Sequence, residues 1–481
     1  MLTANCITST LSPYVATASK PWDQRRVLHL YRRLGFGASM QQVEAALSMN
    51  PTVLIDQLID EALALAPAPA PEWADWTLSD FGELDDMIVA FDEWRAEWFK
   101  DMVNQGLREK LAVFWSNHFV TEYEAYLCAP YAYRYHKLLQ QYALGNFRDF
   151  VSEMGKTPAM LIYLNGAQNT KQQPNENYGR ELYELFTLGR DNNYTQNDIV
   201  ETARALSGWT IAGAEQCAGT VVFIPPIWDS GEKTIFGQTG NWGYDDVVNL
   251  LFTERTQEVA THICSKLYKY FVYHETPADI ISELAQTFID NNFELAPVLR
   301  QLFKSEHFFD EEVIGTKVKS PLDLILSFAQ DINLPSEELA PFYKQGADYL
   351  GQLVFNPVDV AGWPGQRSWI DSTQLTQRWQ VIDYLAFFAY EETPEALRDL
   401  AKVLSGDSTD PDYIVQILVD YFTAQGLQDP LAYEYATIAF KAEIPQNYFD
   451  NNLWSLDWDT APGQVALLLS HLARVPEFQL T

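Results

Sequence analysis

The sequence predicts a mainly α-helical protein: a large multi-helix domain with a small irregular or β-hairpin insert around residues 209–246. Apolar residues recur at helical spacing along most of the chain, which is the pattern of amphipathic helices. The stretch 209–246 instead mixes short β-branched runs with Gly and Pro, which favours strands and turns. The 481 residues are 47% hydrophobic, so the chain can bury a large core.

The N-terminal part divides into a tail and the first helices. Residues 1–24 are predicted as an N-terminal tail, and a single helical domain is expected over 25–481. Helical periodicity occurs twice between residues 23 and 63. The stretch ALAPAPAPEW, residues 64–73, follows and is predicted as an extended Pro-Ala linker.

The remaining helices are predicted from the same periodicity. The C-terminal part, 371–481, is expected to form a helical lobe in which most residues are helical. Before it, helices are predicted over 78–121, 131–160, 174–189, 197–208, 256–273, 277–305 and 320–332.

Composition excludes several classes of function. Lys and Arg total 32 against 65 Asp and Glu, a formal charge of −33, which disfavours binding to nucleic acid and to anionic lipid surfaces. No run approaches 18 consecutive apolar residues, so no membrane span is expected, and no signal peptide is visible in this chain. Phosphate-loop, dinucleotide-binding and G-x-S-x-G motifs do not occur, so the sequence identifies no cofactor and no serine nucleophile.

The four cysteines lie far apart, at Cys6, Cys128, Cys217 and Cys264. They form no C-x-x-C, which excludes a zinc ribbon and a thioredoxin-type motif. One or two disulfides remain open, and their pairing is not determined by the spacing.

The most polar predicted helix is NENYGRELYELFTLG, residues 175–189, called here the polar helix. On a regular helical wheel one arc is an apolar stripe and another is polar. Two interpretations stand: a solvated ladder of i,i+4 ion pairs, or a site that hydrogen-bonds a polyhydroxylated or charged ligand. Asn175 and Asn177 would lie at the helix start, where free N–H groups favour an anion. The polar arc holds Glu176, Asn177, Arg180, Glu181, Glu184 and Thr187.

A second helix follows after a short loop, in YTQNDIVETARALSGWT. Thr195 and Asp198 are spaced as a capping box at its start. The short loop implies antiparallel neighbours, so Arg204 and Trp209 are expected to face the same cleft as the polar helix.

Several motifs in order resemble one bacterial family, known only as domain of unknown function number eighteen hundred. The resemblance runs from about Arg25 to the closing PEFQ. It implies proteins that often carry export signals, hence a periplasmic or extracellular location, and that are often encoded beside an exported family resembling sulfatases and phosphatases. The family usually has His-Asp-x-Gly-x-Lys, but Trp228 stands at the His position here. The motifs are W-x-N-H-F (Trp115 to Phe119), TPAMLIYLN, the polar helix, ARALSGW, D-x-G-x-K (Asp229, Gly231, Lys233), KVKSP and LGQLVFNPVDVAGWPG.

Candidate site residues follow from residue chemistry. His118 lies on an apolar helical face, typical of a core histidine, yet it is also the best general-base candidate, next to Asn117. Glutamates beside an arginine offer a protonated acid and an ionised partner, as glycoside hydrolysis requires. No metal ligands are assigned. The predicted catalytic residues are His118, Glu176, Glu181 and Glu184; the predicted substrate-binding residues are Asn117, Asn175, Asn177, Arg180, Arg204, Trp209, Asp229 and Lys233.

Three functional hypotheses remain. The favoured one is an exported hydrolase or lyase that acts on a polysaccharide or other polyhydroxylated polymer by carboxylate acid–base chemistry, with Trp209, Trp363 and Trp369 as stacking surfaces. The second is a non-catalytic binding or assembly partner of an exported sulfatase-like or phosphatase-like protein. The third is a metal-dependent enzyme with ligands from His118 and the glutamates.

Overall fold

A computed structural model describes residues 9–214, 217 and 219–481 of the chain. It confirms a mainly α-helical fold with two small antiparallel sheets. The first half contains helices α1 Gln24–Leu34, α2 Met40–Leu47, α3 Pro51–Ala64, α4 Leu78–Phe81, α5 Leu84–Gln105, α6 Leu107–Ser116, α7 Tyr123–Tyr126, α8 Ala129–Gln141, α9 Phe147–Met154, α10 Pro158–Tyr163, α11 Asn177–Glu181 and α12 Gln196–Ala205.

The second half of the chain is helical after the insert. Its helices are α13 Tyr244–Glu254, α14 Thr256–Phe271, α15 Ala278–Asp290, α16 Leu295–Lys304, α17 Pro321–Asp331, α18 Ser336–Tyr349, α19 Ser372–Glu392, α20 Pro394–Ser405, α21 Pro411–Phe422, α22 Pro430–Phe440, α23 Gln446–Asp450 and α24 Ala461–Leu472.

The insert forms two hairpins where the sequence predicted one. Strand β1 (Trp209–Ala212) pairs with β2 (Thr220–Phe223), and β3 (Lys233–Ile235) pairs with β4 (Gln238–Gly240). The second hairpin was missed because each of its strands has only three residues, too few to show alternation. Helix α13 begins at Tyr244, inside the stretch predicted as irregular.

Other predicted segments also differ from the structure: the stretches 78–121 and 131–160 are each divided into three helices, and α18 lies where no helix was predicted. The helix predicted over 277–305 is two helices, α15 and α16, which pack on each other around a turn where Asn292 and Phe293 have positive φ. The Pro-Ala stretch has no regular secondary structure over 65–71, but it is held against the helices. The Ala68 N–H donates to Gln140 Oε1 at 2.8 Å, and Arg108 donates to the Ala66 carbonyl.

Helix α17 lies at the centre of the fold, and nearly all of its residues are buried. It packs against α5, α18 and α19, while α19, α20 and α22 pack around α24 in the C-terminal part. The buried apolar side chains form one contiguous cluster that includes Leu11 near the N-terminus and Phe478 near the C-terminus. Helix α17, which is mostly apolar and begins after Ser320, is therefore surrounded by other helices.

The structure pairs Cys128, at the start of α8, with Cys217, and their Cα atoms are 5.5 Å apart. Cys264 is a buried free thiol in α14, and Cys6 lies outside the described residues. The disulfide fixes the first hairpin to α8.

In the described part of the chain, none of the helices has the length and apolarity that crossing a bilayer requires.

The disulfide should contribute measurably to stability. Cys128→Ser opens a link between residues 89 apart in sequence and should lower the free energy of unfolding by about 2–4 kcal/mol. Urea unfolding followed by circular dichroism measures this. A reductant should destabilise the wild type to the same extent and leave Cys128→Ser unchanged; equal stability of variant and wild type would contradict the pairing.

Candidate functional site

The polar helix changes type halfway along. It begins at Asn177 as α11 and continues as a π-helix over Leu182–Thr187, whose end is closed by the N–H groups of Leu188 and Gly189. Both donate to the Tyr183 carbonyl, at 2.9 and 3.0 Å. The regular wheel used for the sequence therefore misplaces the second half of this helix. Short π-helices are rare and occur frequently at functional sites.

Two histidines hold the carbonyl groups of the π-helix. His118 Nε2 donates to the Phe186 carbonyl at 3.0 Å, and His262 Nε2 donates to the Leu185 carbonyl at 3.2 Å. A carbonyl only accepts, so each Nε2 carries the proton. Burial, reinforced by Lys266, lowers the pKa of His118 well below its ordinary value and that of His262 to about 4. Both rings are therefore neutral at pH 7.

His118, predicted as a general base, lies in the core. It is 2% exposed and surrounded by aromatic rings, among them Trp115 and Phe119. Its unprotonated Nδ1 is buried and has no partner within the described residues. The structure therefore gives it a positioning role for the polar helix, and it does not bring His118 together with Glu176 or Glu181 as ligands.

The predicted ion-pair ladder is present. Arg180 donates to Glu176 at 2.9 Å and to Glu184 at 3.4 Å. Arg190 adds a contact to Glu184 at 3.2 Å, and Gln196 from α12 donates to Glu176 at 2.8 Å. Glu176 and Arg180 are more than a third exposed, so this ladder contributes little stability by itself.

Glu181 differs from the other glutamates of the polar helix. It is half-buried and takes part in no hydrogen bond or ion pair with the described residues. Burial raises its pKa, the nearby Glu184 carboxylate raises the pKa further, and Arg180 only partly opposes them. The result is an unpaired carboxyl group that holds its proton more strongly than an ordinary glutamate.

Tyr163 lies within electrostatic range of three carboxylates, and one of them is Glu181. The Tyr163 hydroxyl donates to Glu122 Oε1 at 2.8 Å. Burial raises the pKa of Tyr163, and the charges of Glu122, Asp359 and Glu181 raise it further. The group formed by Glu122, Tyr163, Glu181 and Asp359 is called here the carboxylate cluster. Its members come from four separate segments, which is why the sequence indicated only one of them.

Asn117 binds backbone atoms. Its Oδ1 accepts from the Trp363 N–H at 2.6 Å, and its Nδ2 donates to the Trp363 carbonyl at 3.2 Å. A Cβ on Gly362 would lie 2.1 Å from Asn117 Oδ1, so glycine is required there. Asn117 therefore positions the segment that contains Trp363. Its neighbour His118 positions the polar helix in a similar way, by binding a backbone atom.

The start of the polar helix offers fewer free donors than predicted. The Asn175 N–H donates to Asn169 Oδ1 at 3.0 Å, and the Asn177 N–H donates to Asn175 Oδ1 at 2.9 Å. The prediction of an anion position at Asn175–Asn177 assumed free backbone N–H groups. That assumption is wrong for Asn175 and Asn177, because nearby side chains already accept from both N–H groups.

Arg204 was predicted to face the same cleft as the polar helix, but its side chain bonds to other parts of the molecule. Arg204 donates to Asp229 at 2.7 Å and to Glu201 at 2.8 Å, which ties α12 to the insert. Lys233 is buried, donates to the Gly231 carbonyl at 3.0 Å and lies 5.0 Å from the ring centroid of Trp228.

Trp209 completes this internal arrangement. Its ring packs on Phe223 of the paired strand and on Tyr244 at the start of α13, with centroids 5.3 and 6.0 Å apart. Trp209 is therefore part of the packing of the insert. Trp228 stands where the family usually has His. It also takes part in the packing of the insert, because its ring faces the Lys233 ammonium group.

A cavity of about 420 Å³ was not predicted from the sequence. It is called here the lysine cavity, and its walls include Lys266 and Lys269 of α14 and Lys317 of the KVKSP motif. Trp363 and Trp369 from the segment held by Asn117 form another wall. The motifs KVKSP and AGWPG could have pointed to this cavity from the sequence. The two lysines of α14 could not, because they lie in an ordinary helical pattern.

The described residues contain no group of three or more His, Cys, Asp and Glu side chains arranged to hold a metal ion. The hypothesis of a metal site built from His118 and the glutamates therefore has no ligand set in this part of the molecule.

A family model described as a protein of unknown function (DUF1800) matches residues 29–480. The chain belongs to this family. Comparisons with curated proteins and with solved structures found no match. The family match covers the polar helix, the carboxylate cluster and the lysine cavity, and the family description assigns no activity to them.

Asn117→Ala should loosen the wall that carries Trp363. The change leaves a backbone N–H and a carbonyl without partners and should lower the free energy of unfolding by about 1–3 kcal/mol. Asn241→Ala is the matched control, since Asn241 is exposed and outside these contacts. Thermal and urea unfolding measure both; equal stability of the two variants would contradict the positioning role.

Proposed function

We propose that this protein is an exported hydrolase or lyase that acts on a polysaccharide or other polyhydroxylated polymer by carboxylate acid–base chemistry. The observation that carries the proposal is Glu181, a half-buried carboxyl group with a raised pKa that no described residue pairs with, next to an ion-pair ladder. A carboxyl group whose pKa is raised by burial is suited to donate or accept a proton near neutral pH.

The proposal narrows the predicted catalytic set to Glu181. Glu176 and Glu184 are engaged with Arg180, and Glu184 has a second contact with Arg190. Their part is electrostatic, because the Glu184 charge favours the protonated form of Glu181. Arg180 in turn pairs with both neighbours and fixes them in place.

The carboxylate cluster supplies the second half of the chemistry. In a hydrolase, Glu181 gives its proton to the leaving oxygen while Glu122 removes a proton from the water that attacks the carbon. In a lyase, the ionised Glu181 removes a proton from carbon, a C=C bond forms as the C–O bond breaks, and the Tyr163 hydroxyl protonates the leaving oxygen. Carboxylates such as Asp359 accept hydrogen bonds from hydroxyl groups, which suits a polyhydroxylated substrate.

Export is supported by the disulfide. Disulfide bonds form and persist in oxidising compartments and are rare in the cytosol, so the Cys128–Cys217 bond favours the periplasm or the extracellular space. The resemblance to a family whose members often carry export signals points in the same direction.

A second candidate function is non-catalytic binding or assembly with an exported sulfatase-like or phosphatase-like protein. The internal contacts of Arg204, Asp229 and Glu201 favour it, because they show that several polar residues of the family motifs hold segments together. In that case the polar helix is a structural ion network, and Glu181 has no role in turnover.

Glu181→Gln decides between the two functions. On a panel of neutral and acidic polysaccharides assayed for new reducing ends and for unsaturated products, the variant should lose at least about a hundredfold in kcat, the contribution of a general acid–base group. Its melting temperature should stay at or above that of the wild type, because the change removes a half-buried carboxyl group without partners.

Glu176→Gln is the matched control on the same helix. It removes one exposed ion pair and should change kcat only a few-fold and the free energy of unfolding by less than about 1 kcal/mol. Turnover by the wild type that is unaffected in Glu181→Gln would remove Glu181 from the mechanism. A wild type inactive on the whole panel would favour the assembly function.

A further inference from the structure

The lysine cavity contains an excess of positive charge in a protein of formal charge −33. Lys266 and Lys269 reach it from α14, and Lys317 reaches it from the segment before α17. The carboxylate in its wall is that of Asp323, which is buried and already paired with the Lys110 ammonium group. The cavity is therefore cationic although the chain as a whole is strongly acidic.

The charges behind the wall increase this excess. Lys110 and Arg33 are buried and lie close enough to disfavour the charged form of Lys317. Asp323 opposes them, but it is shared among Lys110, Lys317 and Arg33. Arg33 and Lys317 also donate to backbone carbonyl groups, but Asp323 is the carboxylate that these three cations share among the described residues. Buried cations without a full set of counter-ions are costly.

Lys266 is a partly buried cation of the cavity for which the described residues provide no counter-ion. Its ammonium group takes part in no hydrogen bond and no ion pair with the described residues, although it is partly buried. Burial, reinforced by Lys269, lowers the pKa of Lys266 to about 8. Burial lowers the pKa of Lys317 to about 7, with Asp323 opposing and Lys110 and Arg33 adding to the shift. A bound anion would raise the pKa of both groups and so favour their charged forms.

The walls also fit a ligand larger than a free ion. Trp363 and Trp369 line the cavity with Phe114 and Tyr270, and the volume of about 420 Å³ is in the range of small-molecule sites. The buried indole N–H of Trp363 has no hydrogen-bond partner within the described residues, which is rare for a buried donor. Lysines serve as point charges for phosphate-type groups, and aromatic walls suit a ring-sized body.

We propose that the lysine cavity is a binding site for a ligand with a phosphate or sulfate group, which Lys266, Lys269 and Lys317 neutralise while the aromatic walls enclose the remainder. The proposal does not rest on catalysis by Glu181. It makes this cavity a recognition site for an anionic substrate, product or regulator. The cavity is distant from the polar helix along the sequence but is linked to it through α14, which carries His262, and through the residues just after α6, which include His118.

The test is isothermal titration calorimetry on the full chain at constant ionic strength, with inorganic phosphate, inorganic sulfate, citrate, glucose 6-phosphate and glucose 6-sulfate as titrants. Saturable binding is expected for the phosphate and sulfate compounds, tighter for the sugar esters than for the free ions if the aromatic walls take part. Tightest binding of citrate, or none of any titrant, would overturn the proposal.

Lys266→Met keeps the aliphatic stem and removes the charge. It should weaken binding about tenfold or more, the loss expected for one charge-assisted contact. Lys171→Met, at an exposed lysine outside the cavity, should bind as the wild type does. Without ligand, Lys266→Met should melt at or above the wild-type temperature, since it removes a partly buried charge without a partner.

Lys269→Met provides a second variant at an exposed position of the cavity wall, where folding is not at risk. It should also weaken binding several-fold. Equal affinities of Lys266→Met, Lys269→Met and Lys171→Met would show that anions bind elsewhere on the surface and would overturn the assignment.

Discussion

The buried carboxylate of Asp323 is the interaction on which much of this structure depends. It caps helix α17 together with Ser320, and it pairs with Lys110 of α6. Burial alone would raise the pKa of Asp323, but Lys110 and Lys317 lower it below its usual range, so the group stays ionised. This one charge ties the central helix α17 to α6, and because Lys110 already uses it, the lysine cavity is left short of negative charge.

The polar helix shows a second constraint of the same kind. The last carbonyl groups of the π-helix have no partner within the helix, and two neutral histidines donate to them: the buried His118, just after α6, and the partly buried His262 of α14. A Cβ at Gly189 would lie 2.9 Å from His262 Nδ1, and its φ is +90°, so glycine is required where the helix ends. The histidines position the helix, and the helix presents Glu181 without a partner among the residues that the structure describes.

Much of the fold was predictable from local patterns. Helical periodicity located most helices, the Thr195–Asp198 capping box was confirmed, and so were the ion pairs of Arg180. The errors came where local pattern has no information. A continuous apolar periodicity over 277–305 concealed the turn at Asn292 and Phe293, and three-residue strands are too short to alternate. Of the candidate site, the polar helix was found, but the lysine cavity was not.

The sequence by itself determined the mainly helical fold, the family and the chemistry available on the polar helix, because these depend on spacing along the chain. Only the tertiary structure decided which side chains have partners. It buried His118, engaged Arg204 with Asp229, left Glu181 unpaired and brought Lys266 and Lys317 to one cavity. The physical reason is that burial and charge pairing join residues distant in sequence, so the pKa of a group and its availability to a ligand depend on the packed fold.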